Sequence, residues 1–290
     1  MRASFCYLIA LIFLVVPQAR AAQITAGATG NWSNPATWVG GVLPGVEDTV
    51  QIPSGITVTL NTNVECGGIV VEGVLNVQRT NRTLTCDYLL VQTTGAAFNV
   101  GSHANRFGQN FTLTLKGLST ETPPIDPMMA SMMGGKFLGA HDGGTLSIHG
   151  KDRVEWTRLG ASAAAGATSL TLSEPVDWME GDSILVTSSR GDWNEAEMLT
   201  ITSVSTDLKT VYFTTPMVYP HNGTQLTKTR AADGKSWTID LRAEVGLLSR
   251  NVKIQGDAVS ETSGYGGHTM VMDGGTALIE GVELYSVELA

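Results

Sequence analysis

The chain has 290 residues, 42% of them hydrophobic and 16% charged, with 27 acidic against 18 basic side chains and a net charge of −9. So much apolar sequence excludes a disordered chain, and so acidic a balance argues against nucleic acid or an anionic membrane as partner. Its 33 glycines and sparse charges suit a β-rich chain with many turns.

Arg2 precedes an unbroken apolar run over residues 5–16, which is too short to span a bilayer. Pro17 and the small-residue pattern Ala19-Arg20-Ala21 come next. The expectation is a secretory signal peptide over residues 1–21 and an extracellular mature chain from Ala22, with no membrane span once the signal is cleaved. Loss of Arg2 and Arg20 leaves 16 basic against 27 acidic side chains, a balance of −11. Cys6 leaves as well, so Cys66 and Cys86 remain in an oxidising compartment. In a eukaryotic host the sequons at Asn31, Asn81, Asn110 and Asn222 are candidate glycosylation sites.

Residues 22–150 read as short strands punctuated by glycine. Ile56, Val58 and Leu60 alternate with polar residues, and Cys66-Gly67-Gly68-Ile69-Val70-Val71-Glu72 is echoed 20 residues later by Cys86-Asp87-Tyr88-Leu89-Leu90-Val91-Gln92. A period near 20 holding two or three strands is the signature of a β-solenoid, whose coils bury apolar side chains only by stacking. The same offset stacks Cys66 on Cys86. Strand spacing of about 4.7–4.9 Å falls inside the roughly 4.4–6.8 Å Cα window of a disulfide, so a Cys66–Cys86 bond is expected. Residues 119–136 break the rhythm with Pro123, Pro124 and Pro127 and then Met128, Met129, Met132 and Met133. That spacing predicts a short helix with its methionines on one face, as a flap packed on the coil or capping its open end, with a ligand-facing Met surface as the alternative.

Residues 151–230 have another character. Alternating runs at 169–172, 183–186, 197–201 and 210–213, joined by Gly or Asp turns, predict a small antiparallel sheet or barrel inserted into the solenoid. The coil rhythm is expected to resume at Trp237-Thr238-Ile239-Asp240-Leu241. Residues 231–290 then begin a parallel β-helix, read as truncated, whose open last coil invites self-association through unpaired backbone groups.

Glycoside hydrolysis needs two carboxyls across the scissile bond, and Glu195 and Glu197, two apart on a predicted strand, are the catalytic candidates. Arg242, Arg250 and Lys253 are candidates to clamp an acidic sugar, with pairing to neighbouring acids as the structural alternative. Asp240, Glu244 and Asp257 are the candidate calcium ligands. Trp193, between Asp192 and Asn194, is the tryptophan expected to be exposed for sugar stacking, while Trp32, Trp38, Trp156, Trp178 and Trp237 are expected in the core. His103, His141, His149, His221 and His268 show no metal-ligand spacing. His149 and His268, each beside glycine, are expected to make buried hydrogen bonds at turns.

Trp32 to Pro35, Trp38, Gly40-Gly41-Val42-Leu43-Pro44-Gly45 and Asp48-Thr49-Val50-Gln51-Ile52-Pro53 resemble the opening of a G8 domain. His149-Gly150 with Trp156-Thr157, Asp177-Trp178-Met179-Glu180-Gly181-Asp182, Gly266-Gly267-His268 and Gly281-Val282-Glu283-Leu284 resemble the region C-terminal to that opening in the G8 domain family, which includes fibrocystin and the cell-migration-inducing, hyaluronan-binding protein. The resemblance implies an all-β chain, with a G8 domain over residues 22–150 leading into a right-handed parallel β-helix outside the cell. In its hyaluronan-processing branch it also implies depolymerisation of hyaluronan that looks calcium-dependent. That branch carries a further domain between the tryptophan and the inserted sheet, whereas here Trp156 runs directly into residues 161–168. The resulting expectation is a secreted glycan-binding or adhesion module without catalysis, with a hyaluronidase-like hydrolase using the β-helix groove as the alternative.

Overall fold

The computed structural model describes residues 21–289 except Ser119 and Glu121; residues 1–20 of the expected signal peptide lie outside the described residues. Strands dominate. Three parallel sheets of seven, six and five strands wind through most of the chain, each strand pairing with its equivalent one coil away. This is an all-β parallel β-helix. No described helix is long and apolar enough to cross a membrane.

The period arises from stacking. In the first sheet Val50, Ile69, Leu89 and Leu138 occupy one inward register column, and in the second Val58, Leu75, Phe98 and Leu146 do the same. Leu84, Leu113 and Ile254 form the equivalent column of the third sheet. All of them are buried. Alternation along a strand sends every second residue inward, and parallel in-register pairing turns those residues into apolar columns. The turns between the first and second sheets repeat as well. Asp142 and Asp273 adopt φ of 47° and 42°, each followed by a glycine at positive φ, a backbone region that Asp tolerates better than most residues and glycine enters freely.

Cys66 and Cys86 come directly after the paired residues Glu65 and Thr85 on adjacent strands, so the 20-residue offset is a one-coil step. Both stand as buried thiols in this structure rather than as the expected disulfide. Burial pushes the Cys66 thiol up to about 12.

The methionine segment forms the helix Pro127–Met133, started by Asp126, whose side chain accepts from the amides of Met128 and Met129. Its methionines divide between two faces instead of sharing one. Met129 and Met133 pack against Tyr88, Leu90 and Phe137 on the outside of the first sheet, while Met128 and Met132 face solvent. Met133 fills the space that a side chain at Gly139 would take, since a Cβ there would stand 2.3 Å from its terminal methyl.

The insertion is longer than the sequence suggests. The fifth coil contributes Phe137–His141 and Thr145–His149, leaves after Gly150, and completes itself only with Val252–Gly256. Trp237 to Leu241, expected to resume the coil, belongs instead to the exposed hairpin of Leu226–Thr229 and Ser236–Ile239. Alternating Trp237, Ile239 and Leu241 fit either kind of strand, and pairing with the preceding segment decides between them. Within the insertion, a four-stranded antiparallel sheet (Trp156–Arg158, Ser183–Val186, Glu197–Thr200, Glu244–Leu247) and a three-stranded one enclose a second core around Trp178, Ile184, Val211 and Phe213.

Candidate functional site

The two ends of the insertion meet at the edge of the β-helix. Asn251 ties them together, accepting from the Lys151 amide at 2.8 Å and donating to the carbonyls of Phe107 and Gln109 at 2.7 and 2.5 Å. The next coil passes alongside. Gly150 donates to the Glu280 carbonyl at 2.8 Å, and a Cβ at Gly150 would lie 2.1 Å from the Gly281 carbonyl oxygen. Only glycine permits that approach, which explains why His149 is followed by one.

Glu280 is the hub. It pairs in register with His149, the last residue of its strand. The loop from Gly101 folds over them, with the Phe107 amide on the His149 carbonyl at 2.8 Å. Three side chains converge on the Glu280 carboxylate: His103 Nδ1 at 3.1 Å, His149 Nδ1 at 3.3 Å, and the Arg106 guanidinium in direct ion-pair contact. The His103 contact, chiefly, with those of His149 and Arg106, holds this carboxyl below its ordinary range. His149 is buried, and its Nε2 lies 3.0 Å from Ser147 Oγ.

Beside the hub is a cleft of about 350 Å³ between the β-helix and the insertion, lined by Arg106, Lys151, Asp152, Arg153, Glu155, Arg250 and residues 279–281. Four cationic and three anionic side chains line it, a positive excess on a chain of net charge −9. Their availability differs. Arg153 is committed to Asp182 at 2.8 Å and Arg250 Nη1 bonds the carbonyls of Leu247 and Ser249, whereas Lys151 is exposed and lies in no ion pair among the described residues.

The residues singled out in the sequence do not assemble into one site. Glu197 is buried and accepts from the amides of Val218 and Tyr219 at 2.7 and 2.9 Å, with His221 Nε2 at 3.0 Å. Glu195 sits in the short turn Trp193–Glu195 near Arg190. The two-residue spacing therefore does not align two carboxyls, because the strand begins only at Glu197. Arg242 makes a two-point pair with Asp240 at 2.9 and 2.8 Å, and Lys253 pairs with Glu283. Arg250 alone of the three lines the cleft.

The proposed calcium ligands likewise do not form one site. Arg158 already bridges Asp240 and Glu244 at 3.6 and 3.0 Å, while Asp257 caps the helix Ala258–Ser263 and pairs with fully buried Lys136 at 2.7 Å. Trp193 is 83% exposed and lies away from the cleft lining. Trp156 and Trp237, expected inside, are half exposed and lie under Arg158 and Arg230. Asn31, Asn81 and Asn110 are exposed, whereas the Asn222 amide is engaged by the carbonyls of Thr224 and Leu241. Glu280, Arg106 and Lys151 were not singled out. Their signal is indirect: His149-Gly150 and Gly281 stand out as motifs, but Glu280 meets His149 only once the insertion is looped out of the register.

Residues 37–160 match the family model for the G8 domain. The chain contains a G8 domain. It is similar to protein rliB of Dictyostelium discoideum, 28% identical over 88% of this chain and 22% of that protein, and to fibrocystin-L of Mus musculus, 34% identical over 78% of this chain and 5% of that protein. The chain thus spans about a fifth of the first relative and a twentieth of the second. Among solved structures, the Gp54 tailspike of Acinetobacter baumannii bacteriophage AP22, in complex with capsular saccharide, covers 74% of this chain and 30% of its own at 11% identity and a TM-score of 0.26. The G8 match takes in His103, Arg106, His149, Lys151 and Arg153 but stops short of Arg250 and Glu280. The site is built by the G8 region together with the coil after the insertion.

Proposed function

We propose that this chain is an extracellular glycan-binding module whose cleft between β-helix and insertion holds an acidic saccharide. The observation that carries this reading is the cationic excess at the cleft, with Lys151 exposed, on an otherwise acidic molecule. An anionic sugar approaching such a surface is repelled everywhere except where the local field reverses. A planar guanidinium and a lysine ammonium both suit a uronate carboxylate. The contacts of His103, His149 and Arg106 hold the Glu280 carboxyl below its ordinary range, and it positions the Arg106 guanidinium at the cleft.

The test is calorimetric titration with hyaluronan oligosaccharides and, in parallel, neutral chitin oligosaccharides. Binding of hyaluronan that weakens several-fold between 50 and 300 mM salt, roughly the range over which the Debye length falls below 10 Å, with none of the neutral sugar, is the expected result. No binding, or equal binding of both sugars, contradicts the reading. The hydrolase alternative draws on the exposed carboxylates Asp152 and Glu155 in the same cleft; release of reducing ends from hyaluronan under these conditions would favour it.

A further inference from the structure

We propose that His103, His149 and Glu280 bind a single divalent transition cation of the zinc class at the rim of the cleft. Two imidazoles and one carboxylate are the donor set of zinc sites that keep a coordination position open, and imidazole selects such ions over calcium or magnesium, which take oxygen. One ligand atom from each of the three residues lies within 4.8 Å of the others. His103 Nδ1 stands 3.3 and 3.1 Å from the two Glu280 oxygens, and His149 Nδ1 stands 3.3 Å from Oε2. Donors about 2.0–2.1 Å from a tetrahedral zinc ion are about 3.3 Å apart. The two edges that meet at Glu280 therefore already have the right length, and the third closes by rotation of His103, whose side chain is 78% exposed.

The surroundings support the same assignment. His149 is fixed by burial and by the contact of its Nε2 with Ser147 Oγ. Without a metal, Ser147 Oγ can donate to Nε2 while Nδ1–H donates to Glu280; with the hydrogen on Nε2 and Ser147 as acceptor, the Nδ1 lone pair is free for a cation, and the serine hydroxyl serves either arrangement. An outer partner on the second ring nitrogen is the usual way a protein orients a histidine ligand. Glu280 is placed by backbone register opposite His149, so two of the three ligands sit on adjacent rungs of a rigid sheet. The histidine contacts at 3.1 and 3.3 Å both end on Oε2, the oxygen that Arg106 also contacts, so a bound cation takes the place of that guanidinium. The site is read from its own ligands and does not depend on the saccharide reading.

The experiment uses the full chain, stripped with chelator, desalted, and titrated with Zn²⁺ by calorimetry and with Co²⁺ by visible absorption, in the absence of saccharide. We expect one Zn²⁺ per chain at micromolar or tighter Kd, and intense Co²⁺ ligand-field bands of four- or five-coordinate type. His103→Ala and Glu280→Gln should each weaken binding at least tenfold, and Ser147→Ala by about tenfold through the outer contact. Because His103 is exposed, the metal-free His103→Ala protein should melt at the wild-type temperature, which separates loss of ligand from loss of fold. Failure of the wild type to bind stoichiometrically, weak six-coordinate Co²⁺ bands, or unchanged affinity in His103→Ala would overturn the proposal.

Discussion

The β-helix and its insertion bury apolar surface by different means. In the helix each inward side chain rests on its equivalent one coil away, as Val50, Ile69, Leu89 and Leu138 do. Repetition supplies the specificity there. The insertion has no repeat, and it fixes its loops with buried charge: Arg153 on Asp182, and Glu197 against His221 and two amides. The two ring nitrogens of His221 contact Thr187 O at 2.9 Å and Glu197 Oε1 at 3.0 Å. Polar residues in the helix mostly form surface ladders, with the buried Lys136–Asp257 pair as an exception; in the insertion they are structural cores of their own. The cleft lies where one regime gives way to the other.

The comparison is tested most severely in the helix. Phe98→Ala removes a fully buried ring that packs on Phe111 at 6.2 Å between centroids, and should cost about 3–5 kcal/mol; a loss under about 1 kcal/mol in urea titration would refute a core built by stacking. Thiol chemistry probes the same interior. With Cys66 pushed up to about 12 by burial, alkylation near pH 8 should be roughly a thousandfold slower than for an ordinary thiol of pKa about 8.5, and two thiols should react after unfolding without reductant. Finding none would show that the stacked pair oxidises.

In the insertion, Glu197→Gln should cost about 1–3 kcal/mol at neutral pH through impaired hydrogen bonding in a buried site. Burial raises the Glu197 pKa, but the amide of Val218, the His221 ring and the amide of Tyr219 outweigh it, so the folded value lies below the ordinary one. A lowered folded pKa gives stability that is complete above about pH 4.3 and is lost as pH falls through the folded value. The wild type should lose that increment on acidification and Glu197→Gln should not, as measured by unfolding midpoints between pH 3 and 6. The smallest effect is expected at Arg242. Its guanidinium is held by exposed Asp240, so Arg242→Ala should leave both melting temperature and hyaluronan affinity unchanged within error.

The sequence discloses the helix well because its signal is a period. The Cys66 and Cys86 echo yields the one-coil step directly, and the prolines and methionines of residues 123–133 announce a flap. It discloses the insertion's strands but not its end, since an alternating Trp237, Ile239 and Leu241 read the same in a hairpin as in a coil. The site is the least legible part. Glu280 lies 131 positions from His149, and no local spacing reports a contact that exists only because residues 151–251 loop out of the register. Charge near Arg242 to Asp257 draws attention in the sequence at the very positions where neighbouring acids neutralise it in the fold, whereas Lys151 is inconspicuous and exposed.

Placement of function at the junction is tested most directly by the hyaluronan affinity of Lys151→Gln combined with Arg250→Gln, with Arg242→Ala as the control. Loss of charge-assisted contacts worth about 1.5–3 kcal/mol each corresponds to at least a tenfold rise in Kd. Binding at the junction requires that rise in the double variant and wild-type affinity in Arg242→Ala; equal affinity in all three proteins, or weakening confined to Arg242→Ala, would contradict it.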